Sequence, residues 1–118
     1  MGKSVLKDKS YAFAIRVVQL YKHLSSTKKE FVLSKQVLRS GTSVGALIRE
    51  AEFAQSKKDF ISKMSISLKE ANETVYWIDL LKDTGYLTEE EYLSMNKEIT
   101  EVLKLLVSTV KTAKQNLK

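Results

Sequence analysis

The chain has no cysteine, no proline and only four glycines in 118 residues. Without cysteine there is no disulfide framework, no thiolate metal ligand and no thiol nucleophile. Without proline the expectation is long uninterrupted helices, because β-rich folds need many turns and commonly build them with proline. No apolar run approaches the roughly 20 residues that span a bilayer, so no membrane partner is expected. The opening MGKSVLKDKS lacks the apolar core of a secretion signal, and a cytoplasmic location follows as the expectation. Histidine is also scarce: His23 stands alone.

What is present describes a folded domain. Hydrophobic residues make up 43% and charged residues 29%, too apolar for a disordered chain, and the length suits one domain over residues 1–118. The net charge of +6 is unevenly spread along the sequence. Residues 1–30 hold seven basic and two acidic side chains, whereas residues 85–118 balance. A basic N-terminal stretch suits a polyanion such as RNA or DNA, the alternative being a solvated surface that keeps the protein soluble.

Punctuation divides the chain into four helices, at about 10–25, 28–54, 57–84 and 88–115, predicting an all-α, up-down-up-down antiparallel four-helix bundle. Thr27 with Glu30 and Thr88 with Glu91 have capping-box spacing, and Ser56 with Asp59 is a weaker version. Gly85 is placed to end the third helix. Expected core stripes are Tyr11, Ala14, Val17, Val18 and Tyr21 in the first helix; Val37, Gly41, Val44, Ile48 and Ala51 in the second; Phe60, Met64, Leu68, Ala71, Val75 and Ile78 in the third; and Tyr92, Met95, Ile99, Val102, Leu106, Val110, Ala113 and Leu117 in the fourth.

The stretch RSGTSVGALIRE, residues 39–50, stands out. It is no phosphate loop, since Ala46 rather than lysine follows Gly45 and no strand precedes it. Read as a helix, its glycines lie on or beside the core face and admit a neighbouring helix closely; a loop interrupting the helix is the alternative. A second stripe, Val32, Gln36, Arg39, Ser43, Ala46, Glu50 and Phe53, lies nearly opposite the core face. The third helix likewise carries Ile66, Glu70, Glu73, Trp77 and Leu80 opposite its core. Of these two stripes, Gln36, Arg39, Ser43, Ala46, Glu50, Glu70, Glu73 and Trp77 are the candidate oligomer-interface residues, with Arg39 expected to pair with Glu70 or Glu73, within or between chains. Solvated ion pairs are the alternative.

The segments QVLRSGTSVGA and KEANETVYW resemble the four-helix-bundle family encoded in intervening sequences of bacterial 23S ribosomal RNA genes. The resemblance covers nearly the whole chain and implies assembly into a ring, often a homopentamer, with no known catalytic activity. It also implies kinship with accessory proteins of diversity-generating retroelements, which contact a reverse transcriptase and nucleic acid. The family's characteristic positions correspond to Gln36, Arg39, Ser43 and Glu50, and to Lys69, Glu70 and Glu73. Many relatives carry a proline before the second helix; its absence here leaves the placement of Lys28 and Lys29 open.

Candidate chemistry is sparse. A two-metal carboxylate bundle needs Glu-x-x-His pairs, and Leu20 occupies that spacing before His23. Glu70 and Glu73 resemble the first half of a magnesium site in helical nucleotide pyrophosphohydrolases, but no E-x-x-D half follows. No catalytic residue, cofactor or metal is therefore expected. For nucleic acid, the candidates are Arg16, Lys22, Lys28, Lys29 and Lys35, where lysine dominance favours phosphate contact over base reading. The leading expectation is a homo-oligomeric, non-enzymatic protein binding RNA or DNA through a basic face. The rival expectation is an adaptor docking a larger enzyme such as a reverse transcriptase.

Overall fold

A computed structural model describes residues 2–117, which form four helices: α1 (Gly2–Ser26), α2 (Leu33–Ala51), α3 (Lys57–Asp83) and α4 (Glu89–Gln115). Each packs on its neighbours in the order α1–α2–α3–α4, and α4 closes back on α1. This is the predicted up-down-up-down bundle, a rod 49 Å long and about 20 Å across.

The first helix differs most from expectation. It begins at Gly2 rather than near residue 10 and buries Leu6, Phe13, Val17, Leu20 and Leu24. Of the predicted stripe only Val17 is fully buried, and Tyr11 lies exposed. The reason is that α1 is apolar on two adjacent faces, and periodicity alone does not say which one faces inward.

The first connection also differs. No capping box forms at Thr27, and α2 starts at Leu33 rather than 28 and stops at Ala51 rather than 54. Lys29 adopts a left-handed φ of 55°, which turns the chain out of α1. Glu30 then does the capping from outside the helix. Its carboxylate accepts from the amides of Val32 (3.1 Å), Leu33 (2.9 Å) and Ser34 (2.7 Å), satisfying three orphan donors of α2. Burial pushes the Glu30 carboxyl up, but the amides of Leu33, Ser34 and Val32 outweigh it, and the net displacement is downward.

The other ends follow the sequence closely. Ser56 Oγ accepts from the Asp59 amide at 3.0 Å and opens α3. Gly85, at φ 87°, leaves α3 through the left-handed region that glycine enters without strain. Thr88 and Glu91 complete a reciprocal capping box at α4.

The core stripe of α2 is as expected: Val37, Gly41, Val44, Ile48 and Ala51 are all buried, and residues 39–50 are continuous helix rather than a loop. In α3 the buried line is Met64, Ser67, Ala71, Thr74, Ile78 and Leu81, rotated from the predicted one, so Leu68 and Val75 are only half-buried. The rotation brings small polar groups onto the α2–α3 seam, where each finds a partner. Ser67 Oγ donates to Val44 O at 2.8 Å, and Thr74 Oγ1 donates to Ser40 Oγ at 3.1 Å. In α4 the predicted stripe is buried from Met95 through Ile99, Val102 and Leu106 to Val110, but its ends are not: Tyr92 and Ala113 are half-buried and Leu117 is exposed, because the stripe runs on to the ends of the bundle.

The two helical glycines differ in what surrounds them. A Cβ on Gly41 would lie 2.8 and 2.9 Å from the two methyls of Val17, a stiff, fully buried side chain. A Cβ on Gly45 would meet Ser10 Oγ at 3.4 Å, an ordinary contact. Gly41→Ala is therefore expected to lower stability by about 1–2 kcal/mol, overpacking outweighing the gain in helix propensity. Gly45→Ala is expected to be neutral or to raise stability by up to ~1 kcal/mol. Urea unfolding of the two variants checks the contrast, and equal effects would contradict it.

Glu30→Ala is expected to cost about 1–2 kcal/mol, as loss of a helix cap does. Because the folded-state pKa is lowered, this stabilisation is full above the ordinary glutamate value and is lost as pH falls through the lowered one. Unfolding measured from pH 7 to pH 3 should show a wild-type loss that Glu30→Gln flattens. An unchanged pH dependence in that variant would refute the assignment.

Candidate functional site

Two regions gather the residues singled out from the sequence. On the α2–α3 face, Arg39 reaches both Glu70, at 3.4 Å, and Glu73 within the same chain. Glu73 also accepts from Trp77 Nε1 at 2.9 Å, and Tyr76 packs edge-on against the Trp77 ring at 4.9 Å. Two carboxylates around one guanidinium leave a net negative unit. Both glutamates of the E-x-x-E pair are thereby engaged by Arg39. Among the described residues no cluster of three or more His, Asp or Glu side chains is placed to hold a metal ion.

Gln36, Ser43, Glu70, Glu73 and Trp77 are half-buried in the single chain, whereas Arg39, Ala46 and Glu50 are exposed. Ala46 and Glu50 face away from the Arg39 network. They line a groove of about 460 Å³ between α1 and α2, together with Tyr11, Ala14, Arg49 and Phe53. Its lining is largely apolar, with Phe53 83% and Tyr11 56% exposed. The Arg49 guanidinium lies 5.4 Å over the Tyr11 ring. A second hollow lined by Tyr11, Ala14, Ile15 and Val18 continues it along α1. This strip is the outer apolar face of α1, which the sequence could not separate from the inner one.

The basic candidates are placed as follows. Arg16 is tied to α4, with its guanidinium 3.0 Å from Glu98 and donating to Ser94 Oγ at 2.8 Å. Lys22, Lys28, Lys29 and Lys35 are exposed around the α1–α2 connection. In an antiparallel bundle the α3–α4 connection shares that end, and it brings Glu89, Glu90 and Glu91 with it. The Thr88 amide holds the Glu91 carboxyl below its ordinary value, and the nearby charges of His23 and Lys28 add to the effect. Lys82 pairs with Glu89 at 3.3 Å at the same end. The predicted basic cluster therefore sits beside an acidic one, a neighbour about 60 positions away in sequence. The signal that reveals it is the topology rather than any local motif.

Among the described residues no helix is long and apolar enough to cross a membrane. Fold and surface thus define an all-helical bundle with an ion-paired α2–α3 face, an apolar α1–α2 groove and no assembled metal site among the described residues. A family model for the 23S rRNA-intervening sequence protein matches residues 3–108, and the chain belongs to that family. It is similar to a crystal structure of a protein of unknown function from the S23 ribosomal protein family of Bacteroides thetaiotaomicron VPI-5482. The two share 60% identity over 94% of this chain and 99% of that one, with a TM-score of 0.93. Comparison with curated proteins finds no match.

Trp77 is the only tryptophan and reports directly on the Arg39 network. Glu73→Ala removes the acceptor for Trp77 Nε1 and one partner of Arg39. The expected result is a red shift of tryptophan emission with a stability loss of about 1 kcal/mol, as for a partly exposed pair. Unchanged emission would show that the network does not hold Trp77.

Proposed function

We propose that this chain works by binding rather than by catalysis: copies associate with one another, and the assembly holds a nucleic-acid backbone on a basic face. The observation that carries this reading is the excess of uncommitted cations. Among the described residues only Lys7, Lys9, Arg16, Arg39, Lys63 and Lys82 have a carboxylate within 4 Å. The remaining described lysines, in a chain of net charge +6, are exposed. Uncommitted lysines contact phosphate as point charges, releasing counterions without reading base sequence. Membership of a family named for 23S rRNA agrees with an RNA setting.

Self-association is supported by the α1–α2 strip. Phe53, Tyr11 and Ile15 leave much of their side chains in water along one strip, and apolar groups gathered in this way commonly mark an interaction surface. Repeating a weak basic face around an assembly raises its avidity for a long polyanion. The same groove would seat a partner protein if copies do not fill it, which is the adaptor reading.

Light scattering on the wild type should give a mass that is a multiple of 13.4 kDa, reduced towards that value in Phe53→Asp and Ala46→Lys with helicity retained. Fluorescence anisotropy with labelled RNA and DNA should show binding at 50 mM KCl that falls steeply by 200 mM. A wild-type monomer at all concentrations removes the self-association part, and no binding to either nucleic acid at 50 mM KCl removes the other.

A further inference from the structure

The fold redistributes the charge that the sequence places near its N-terminus. Antiparallel connections bring the start of α1, the α2–α3 connection and the end of α4 to one end of the rod. When each helix is divided at its middle, that half holds ten described lysine and arginine side chains against four acids. The half with the other two connections holds eight against ten, counting the mid-helix Glu70 there. The positive excess therefore lies at the end opposite Lys22, Lys28, Lys29 and Lys35.

Of the four acids in the basic half, Asp8 and Glu50 belong to α1 and α2, Glu52 pairs with Lys7 at 3.2 Å, and Asp59, the one acid on α3 there, pairs with Lys63 at 3.2 Å. The α3–α4 face carries Lys58 and Lys69 from α3 and Lys104, Lys111 and Lys114 from α4, all exposed and none within 4 Å of a carboxylate. Lys57 Nζ, 3.5 Å from Asn116 O, ties the start of α3 to the end of α4. Along the α4 row, between α3 and α4, runs a groove of about 590 Å³ lined by Lys104 and Lys111 and by no acidic side chain. Asn72, Thr100 and Ser108 supply amide and hydroxyl donors, and Leu68, Leu103 and Val107 an apolar floor. Lys104 and Lys111 are two turns apart, a rise of about 10.5 Å on one side of α4, and Lys97 continues the row a further two turns.

We infer that this α3–α4 lysine face, rather than the α1–α2 connection, is where the nucleic-acid phosphate backbone binds. The inference rests on the binding function proposed above and assigns it a site. Lysine rows along a groove track a backbone, the hydroxyl and amide groups donate to phosphate oxygens, and the apolar floor accepts sugar or base faces. Such a site is tolerant of sequence and sensitive to salt.

The test compares two triple variants of the full chain that change the net charge equally. One is Lys58→Glu, Lys104→Glu, Lys111→Glu; the other is Lys22→Glu, Lys28→Glu, Lys35→Glu. The probe is a fluorescein-labelled 20-nucleotide RNA of mixed sequence, titrated from 50 to 200 mM KCl, with circular dichroism to confirm helicity. The corresponding Lys→Gln triples serve if a charge reversal impairs folding. The α3–α4 triple is expected to weaken binding by tenfold or more at 50 mM and to flatten the salt slope by about two. The other triple is expected to stay within about twofold. Loss confined to the α1–α2 triple, or equal loss in both, overturns the site while leaving the binding function standing. A wild type that ignores the RNA at 50 mM, whether or not it sediments with vesicles containing 30% phosphatidylserine, overturns both.

Discussion

The close approach of α1 to α2 at Val17 and Gly41 sets the register on which the other surfaces depend. With no Cβ at Gly41, the Val17 methyls settle against the α2 backbone, and both residues are sealed from water. That contact turns Phe13, Leu20 and Leu24 inward and leaves Tyr11, Ile15 and Val18 facing out or along the flank. A side chain at 41 would push α1 away or rotate it, because a packed core lacks the free volume to absorb even one methyl. The outward strip of α1 is thus a consequence of an interior contact.

The α2–α3 seam shows a different use of small residues. Ser40, Ser67 and Thr74 let the backbones come close, and their hydroxyls are taken up by Gln36 O, Val44 O and Ser40 Oγ respectively, so closeness leaves none of these donors unpaired. Outside this seam the same two helices hold Arg39, Glu70, Glu73 and Trp77 in one connected set. Small inward groups and a bonded outward network together explain why residues 36–50 look unlike an ordinary amphipathic helix. One side answers to backbone approach and the other to charge.

Charge distribution illustrates how a linear tally misleads. Residues 1–30 are strongly basic in sequence, yet α4 begins beside them with three consecutive glutamates, and Arg16 is taken up by Glu98. Residues 85–118 balance in sequence, yet their glutamates gather at the start and middle of α4 while Lys104, Lys111 and Lys114 extend to its far end. Folding the chain back three times adds these separated stretches together end by end. Potential follows distance in space, and within a Debye length of about 10 Å the neighbours that matter are those across the bundle.

Much of the architecture was legible from local chemistry. The Thr88–Glu91 box, the Ser56 cap, Gly85, the core line of α2 and the middle of that of α4 depend on residues a few positions apart, so local chemistry alone specifies the four helices, their order and most of their ends. The start of α2 was not legible, because Glu30 caps it from outside the helix after Lys29 takes a left-handed turn that no common motif announces. Nor was the inward face of α1, since two apolar faces compete and only packing against Gly41 chooses between them. Tertiary structure alone decided which lysines share a surface and which apolar side chains stay in water, because both depend on contacts between residues that only the antiparallel fold brings together.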